Sequence, residues 1–143
     1  MVDVVPLSEE HFIGFTPKAV FEDINSIQNL REAHAAGAPM FALLLDDKVI
    51  GIVGALFYFK HAAEAFGVYS DDIKKCKLSF HKAVKKTLDE FFVSRKLQRL
   101  QMVVRADYLE GQRWAEGLGF SAEGFMHKYG PTGLDYFMYG KVE

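Results

Sequence analysis

Cysteine is almost absent: Cys76 stands alone in 143 residues, so no disulfide forms within the chain and no cysteine-rich metal site assembles. His11, His34, His61, His81 and His127 show no i,i+4 pair or other ligand spacing, so no metal is expected. Apolar runs of about 18 residues, long enough to span a bilayer, are missing too. The start, MVDVVPLSEEHF, lacks the basic stretch and apolar run of a signal peptide. A soluble, cytoplasmic protein with no membrane partner is the expectation. Charge of one sign is not in excess, since the formal net charge is −2, and nucleic acid is not expected as a partner. There is no repeat, low-complexity tract or interdomain linker, which predicts a single domain over residues 1–143.

Apolar material is plentiful: half of the residues are hydrophobic and 14% are aromatic, with 13 phenylalanines, enough for one continuous core. VDVVPL reads as a first strand, and Ser8 caps a short helix around His11 to Phe15. Thr16-Pro17 starts a longer helix whose apolar face is Val20, Ile24, Ile27 and Leu30, ended by Gly37 and Pro39. MFALLL and KVIGIVGALFYF are strands joined at Asp46-Asp47, and EAFGVYS is a shorter fourth strand. From Asp71 to about Lys96, Ile73, Cys76, Phe80, Val84, Leu88 and Phe91 recur at helical spacing with lysines between them. LQRLQMVVRA is a strand, Leu109 to Leu118 a short helix stopped at Gly119, and GFMHKYG and DYFMYGKV two closing strands.

The residues of the last third carry a resemblance. Trp114-Ala115-Glu116-Gly117-Leu118-Gly119-Phe120, then Glu123-Gly124-Phe125, Lys128-Tyr129-Gly130 and Gly133-Leu134-Asp135-Tyr136, resemble the helix, LGF, EG and closing hairpin of the GNAT family of coenzyme-A-dependent N-acetyltransferases. The element order matches over nearly the whole chain. The resemblance implies an α+β fold with a mixed, mostly antiparallel six- to seven-stranded sheet flanked by about four helices. It also implies transfer of an acetyl group from acetyl-coenzyme A to a small-molecule or peptide amine, and homodimer contacts through the last strands.

By that resemblance the pantetheine arm of the co-substrate lies where the fourth strand splays from the fifth, beside Val68 and Tyr69. The pyrophosphate lies on N–H groups at the start of the long helix, where the dipole favours an anion. The family's glycine-rich loop is missing there: no glycine lies between Gly67 and Gly111, and the chain reads SDDIKKCKLSF. Either Ser70 or Asp71 caps the helix and fills the anion site, or Ile73, Lys74, Lys75, Cys76 and Lys77 present N–H groups and cationic charge to phosphate. Glu64 stands where the resemblance implies a base for the amine, and Tyr108, in place of the family's frequent asparagine, is the candidate acid or else packs on the sheet. Tyr129, Tyr136 and Tyr139 are the candidates for acceptor binding, whereas Cys76 and Trp114 are read as core. The glycine-free loop, the short chain and the Lys-rich helix also resemble a small acetyltransferase-like protein of tailed phages, which keeps open a non-catalytic structural or binding module.

Overall fold

The computed structural model describes residues 1–143 as one sheet with helices on both faces. Seven strands, β1 Val2–Pro6, β2 Met40–Leu45, β3 Lys48–Phe59, β4 Ala62–Tyr69, β5 Arg99–Arg105, β6 Ser121–Met126 and β7 Tyr136–Val142, are arranged in the order β1-β2-β3-β4-β5-β7-β6. All neighbours are antiparallel except β4 and β5. The helices are α1 Ile27–Ala35, α2 Lys77–Ser94 and α3 Leu109–Gly117, one fewer than expected, with three 3-10 turns beside them. No helix is long and apolar enough to cross a membrane.

The Asp46-Asp47 hairpin forms as its residue types demand. Both aspartates have positive φ, 50° and 66°, the left-handed pair that matches the twist of the flanking strands. Helix α2 turns Phe80, Val84, Leu88 and Phe91 into the core shared with α3. Gly51 makes room for that contact, because a Cβ there would stand 2.7 Å from the Phe80 ring. A smaller core on the opposite face gathers Phe12, Phe15, Leu30, Ile52 and Val68.

The short helix expected around His11 to Phe15 is a 3-10 turn over Glu9–Phe12, and further boundaries differ from the sequence reading. The expected helix from Thr16 is broken: a 3-10 turn covers Ala19–Phe21, and α1 begins only at Ile27, where the Ser26 hydroxyl accepts the Asn29 N–H. The Lys18 N–H donates instead to the Tyr69 carbonyl at 2.9 Å, which ties this segment to the end of β4. The expected helix from Asp71 is likewise a 3-10 turn over Asp71–Lys75, with α2 starting at Lys77 after Cys76 at φ −152°. Lys18 pairs with Asp71 and Lys48 with Asp72, and these tethers hold the turn against neighbouring elements, so the helix register changes at Cys76. Strand β6 starts at Ser121 rather than Gly124, and residues from His127 onward form the loop to β7.

Candidate active site

The parallel ladder between β4 and β5 is short. Ala62 pairs with Arg99, Ala63 with Leu100 and Glu64 with Gln101, after which the strands diverge. Ala65–Tyr69 and Met102–Arg105 therefore face each other across a wedge, with β3 and β7 holding their outer edges. Backbone groups along the inner edges of such a wedge lack ladder partners, which suits them to an extended polar ligand. Along β4 the side chains alternate: Ala63, Ala65 and Tyr69 join the α2–α3 core, while Glu64, Phe66 and Val68 take the opposite face.

Two cavities reach the wedge from opposite sides. A groove of about 310 Å³ runs between the start of α2 and α3, lined by Tyr69, Ile73, Lys77, His81, Arg113 and Trp114 among others. An apolar cavity of about 50 Å³ lies on the other side, walled by Phe21, Ile24, Phe66, Met102, Tyr108 and Trp114. Trp114 belongs to both walls. Between them the Tyr69 and Tyr108 hydroxyls are hydrogen-bonded to each other across the wedge. Phe21 stands edge-on to Tyr69 at 4.8 Å, and Trp114 is perpendicular to Tyr69 at 5.4 Å. Burial pushes both phenols above their ordinary value, and for Tyr108 the bond from Tyr69 offsets part of the rise. With Tyr69 as donor, Tyr108 keeps its own proton for a third group. Gly111 permits this placement, since a Cβ there would lie 2.6 Å from the Tyr108 ring.

Glu64 sits at the apex, on the last paired rung. Its Oε1 accepts the Tyr58 hydroxyl at 2.7 Å and the Gln101 amide at 3.0 Å. Oε2 is left without a protein partner. Gln101 is fixed in turn by Arg99, whose Nε donates to Gln101 Oε1 at 2.8 Å and whose two terminal nitrogens fork onto Glu123. A polar row thus crosses the sheet and orients one carboxylate. Burial and the bond to Glu64 push the Tyr58 phenol up to about 12, so it remains a donor at neutral pH.

The far wall of the small cavity is a strap, residues 18–25, tied to the closing loop. The Asp23 carboxylate accepts the Tyr136 hydroxyl at 2.7 Å and the Thr132 hydroxyl. Partial burial raises the Asp23 carboxyl, but the bonds from Thr132 and Tyr136, with Arg105 nearby, outweigh it and hold the group below its ordinary value. Arg105 also donates to the Val20 carbonyl at 3.3 Å and pairs with Asp107. A Cβ at Gly130 would meet Asp23 Oδ2, so glycine is required for this closure.

The structure brings Glu64 to the apex, Tyr69 and Tyr108 to the partition, and Ile73 and Lys77 to the groove. Val68 is buried in the smaller core, on the opposite face from Tyr69. Lys74 and Lys75 are exposed outside the groove, and Lys75 pairs with Asp72. The N–H of Ile73 bonds Ser70 O and that of Cys76 bonds Ile73 O, so N–H groups without a partner inside a helix begin at Lys77, the first turn of α2. Cys76 is half-buried against the core, as is Trp114. Tyr136 is buried with its hydroxyl committed to Asp23, Tyr139 is core, and Tyr129 alone of the three is exposed. The sequence reading missed Tyr58 and Gln101, which join the site through strand register, Asp23, which joins it through its bonds to Thr132 and Tyr136, His81, one turn beyond Lys77 on α2, and Arg113, which reaches the groove from α3.

No protein-family model and no curated protein sequence matches the chain. Solved structures do. An acetyltransferase of the GNAT family from Bacillus anthracis is 19% identical with a TM-score of 0.78, over 99% of this chain and 94% of that one. The ribosomal-protein-alanine N-acetyltransferase of Brucella melitensis is 16% identical with a TM-score of 0.76, over 99% of each. The IAA acetyltransferase of Bacillus cereus is 11% identical with a TM-score of 0.77 over the whole of both. The splayed seven-stranded sheet of this chain is the GNAT fold.

Proposed function

We propose that the protein is an N-acyltransferase that moves an acetyl group from acetyl-coenzyme A to an amine. The observation that carries this reading is Glu64 at the wedge apex, with Oε1 held by Tyr58 and Gln101 and Oε2 free. Beyond Glu64 the inner edges of β4 and β5 lack ladder partners, apart from the Tyr69 carbonyl that accepts the Lys18 N–H, and suit a pantetheine arm; Lys77, His81 and Arg113 around the α2–α3 groove, which Glu110 also lines, suit its phosphates. Lysine and arginine there do the work usually given to a glycine-rich loop. In the proposed reaction the amine nitrogen attacks the thioester carbonyl and Glu64 takes the ammonium proton. The carbon–sulfur bond breaks as the amide forms. Tyr108 gives a proton to the departing sulfur and is reprotonated through water by the second proton that the nitrogen sheds as the amide forms, while Glu64 returns its proton to solvent.

A second reading, the non-catalytic module that the phage-protein resemblance implies, is favoured by one observation: Phe21, Tyr69, Tyr108 and Trp114 fill the wedge and leave about 50 Å³ beyond it. The two readings separate in a thiol-release assay with acetyl-coenzyme A and a panel of primary amines. Free thiol that appears only when both substrates are present is the expected result. Absence of release with every amine, from protein that melts cooperatively, would favour the module.

A further inference from the structure

Of the two phenols in the partition, Tyr69 is the fixed one. It is 2% exposed, with Phe21 edge-on at 4.8 Å, Trp114 perpendicular at 5.4 Å and Phe80 at 5.8 Å. Its carbonyl accepts the Lys18 N–H, and the Lys18 ammonium lies 5.9 Å from the centre of its ring. Inside that enclosure the Tyr69 hydroxyl is bonded to the Tyr108 hydroxyl, and a buried hydroxyl without such a partner would carry the full cost of its lost hydration. Tyr108 is the accessible member: it is half-buried and lines the small apolar cavity.

A phenol that gives up its proton leaves a negative oxygen, and in an apolar wedge that charge needs a donor already in place. The charged groups nearby do not supply one. Lys18 on the strap favours a negative Tyr108, but it pairs with Asp71 at 3.4 Å, and Asp71 and Glu110 oppose it. Arg105 pairs with Asp107. We infer that Tyr69 is a positioning residue for Tyr108: it holds the Tyr108 oxygen at the wedge and donates to the phenolate left when Tyr108 gives its proton to the departing sulfur. In that step the Tyr108 O–H bond breaks, the S–H bond forms and the Tyr69 O–H bond stays intact. The inference rests on the acyltransferase reading for the use of the proton, whereas the pairing is testable without any acyl donor.

A fluorine NMR titration of the full chain, with a fluorotyrosine label in place of Tyr108, provides that test when Tyr69 is intact and in Tyr69→Phe. Phenylalanine keeps the ring and its contacts with Phe21, Phe80 and Trp114 and removes only the donor, so cooperative melting is expected. The label should titrate about one unit higher in Tyr69→Phe, which is the loss of one hydrogen bond to a charged oxygen. An unchanged midpoint would overturn the inference, and so would a lower one, because Tyr108 would then be the donor of the pair. In the thiol-release assay Tyr69→Phe should slow transfer about threefold, and it should add no further loss to Tyr108→Phe, because both residues act through one proton. Additive losses would overturn the inference. A midpoint shifted as expected, with no thiol release from any amine, would support the pairing and overturn acyl transfer.

Discussion

Glu64→Gln should lower the rate of acetyl transfer near pH 7 by at least about a hundredfold, the lower end of what a positioned general base contributes. An aliphatic ammonium with pKa ~10.4 lies about three units above neutrality, whereas a departing thiolate with a conjugate-acid pKa near 8.5 needs little help. The amide of Gln keeps the size and one hydrogen-bonding oxygen, so Tyr58 and Gln101 retain a partner. What it lacks is the negative charge. The deficit should therefore shrink as pH rises toward 9 and more of the amine arrives unprotonated. Tyr108→Phe should cost less, because the harder proton problem lies with the amine. Rate profiles of the two variants between pH 6 and 9 check this, and a Glu64→Gln profile that overlays the unaltered protein would remove the carboxylate from the chemistry.

Phe80→Ala carries the largest expected loss of stability, about 3–5 kcal/mol. The Phe80 ring is 2% exposed, rests on Gly51, stacks on Trp114 at 5.9 Å and meets Tyr69 edge-on at 5.8 Å. Its removal empties a space that none of these can collapse into: Gly51 has no side chain, and Trp114 and Tyr69 are held by the partition across the wedge. For a chain of this size such a loss lowers the melting temperature by roughly 10 °C or more. An unchanged melting temperature would contradict the packing of α2 on the sheet.

The periodic and turn-bearing parts of the fold were legible in the sequence because their causes are local. The spacing of Phe80, Val84, Leu88 and Phe91 requires a helix with one buried face, and Asp46-Asp47 between two apolar runs requires a tight hairpin. The boundaries at Ser26 and Cys76 were not legible, because long-range tethers set them: Lys18 to Tyr69 in one case, Lys18 and Lys48 to the aspartates in the other. The apolar spacing of Val20, Ile24 and Ile27 fits a continuous helix equally well and masks the one local sign of the break, the Ser26 hydroxyl that caps the Asn29 N–H. At the site, Glu64 and Tyr108 were reached through the family resemblance. Their partners were not, because Gln101 meets Glu64 only through the parallel register of β4 on β5, and Tyr58 only through the bulged pairing at the end of β3. The tie of Asp23 to Tyr136 spans 113 positions and leaves no sequence signal.

The most direct test is a calorimetric titration of the protein with coenzyme A. Saturable binding is the predicted result. Lys77→Glu combined with Arg113→Glu should weaken it by at least about tenfold while affecting pantetheine, which lacks the phosphates, far less, because the two cations line the groove and not the wedge. No detectable binding of coenzyme A at about millimolar concentration, equivalent to less than ~4 kcal/mol of affinity, would contradict the account and leave the wedge a closed, structural feature.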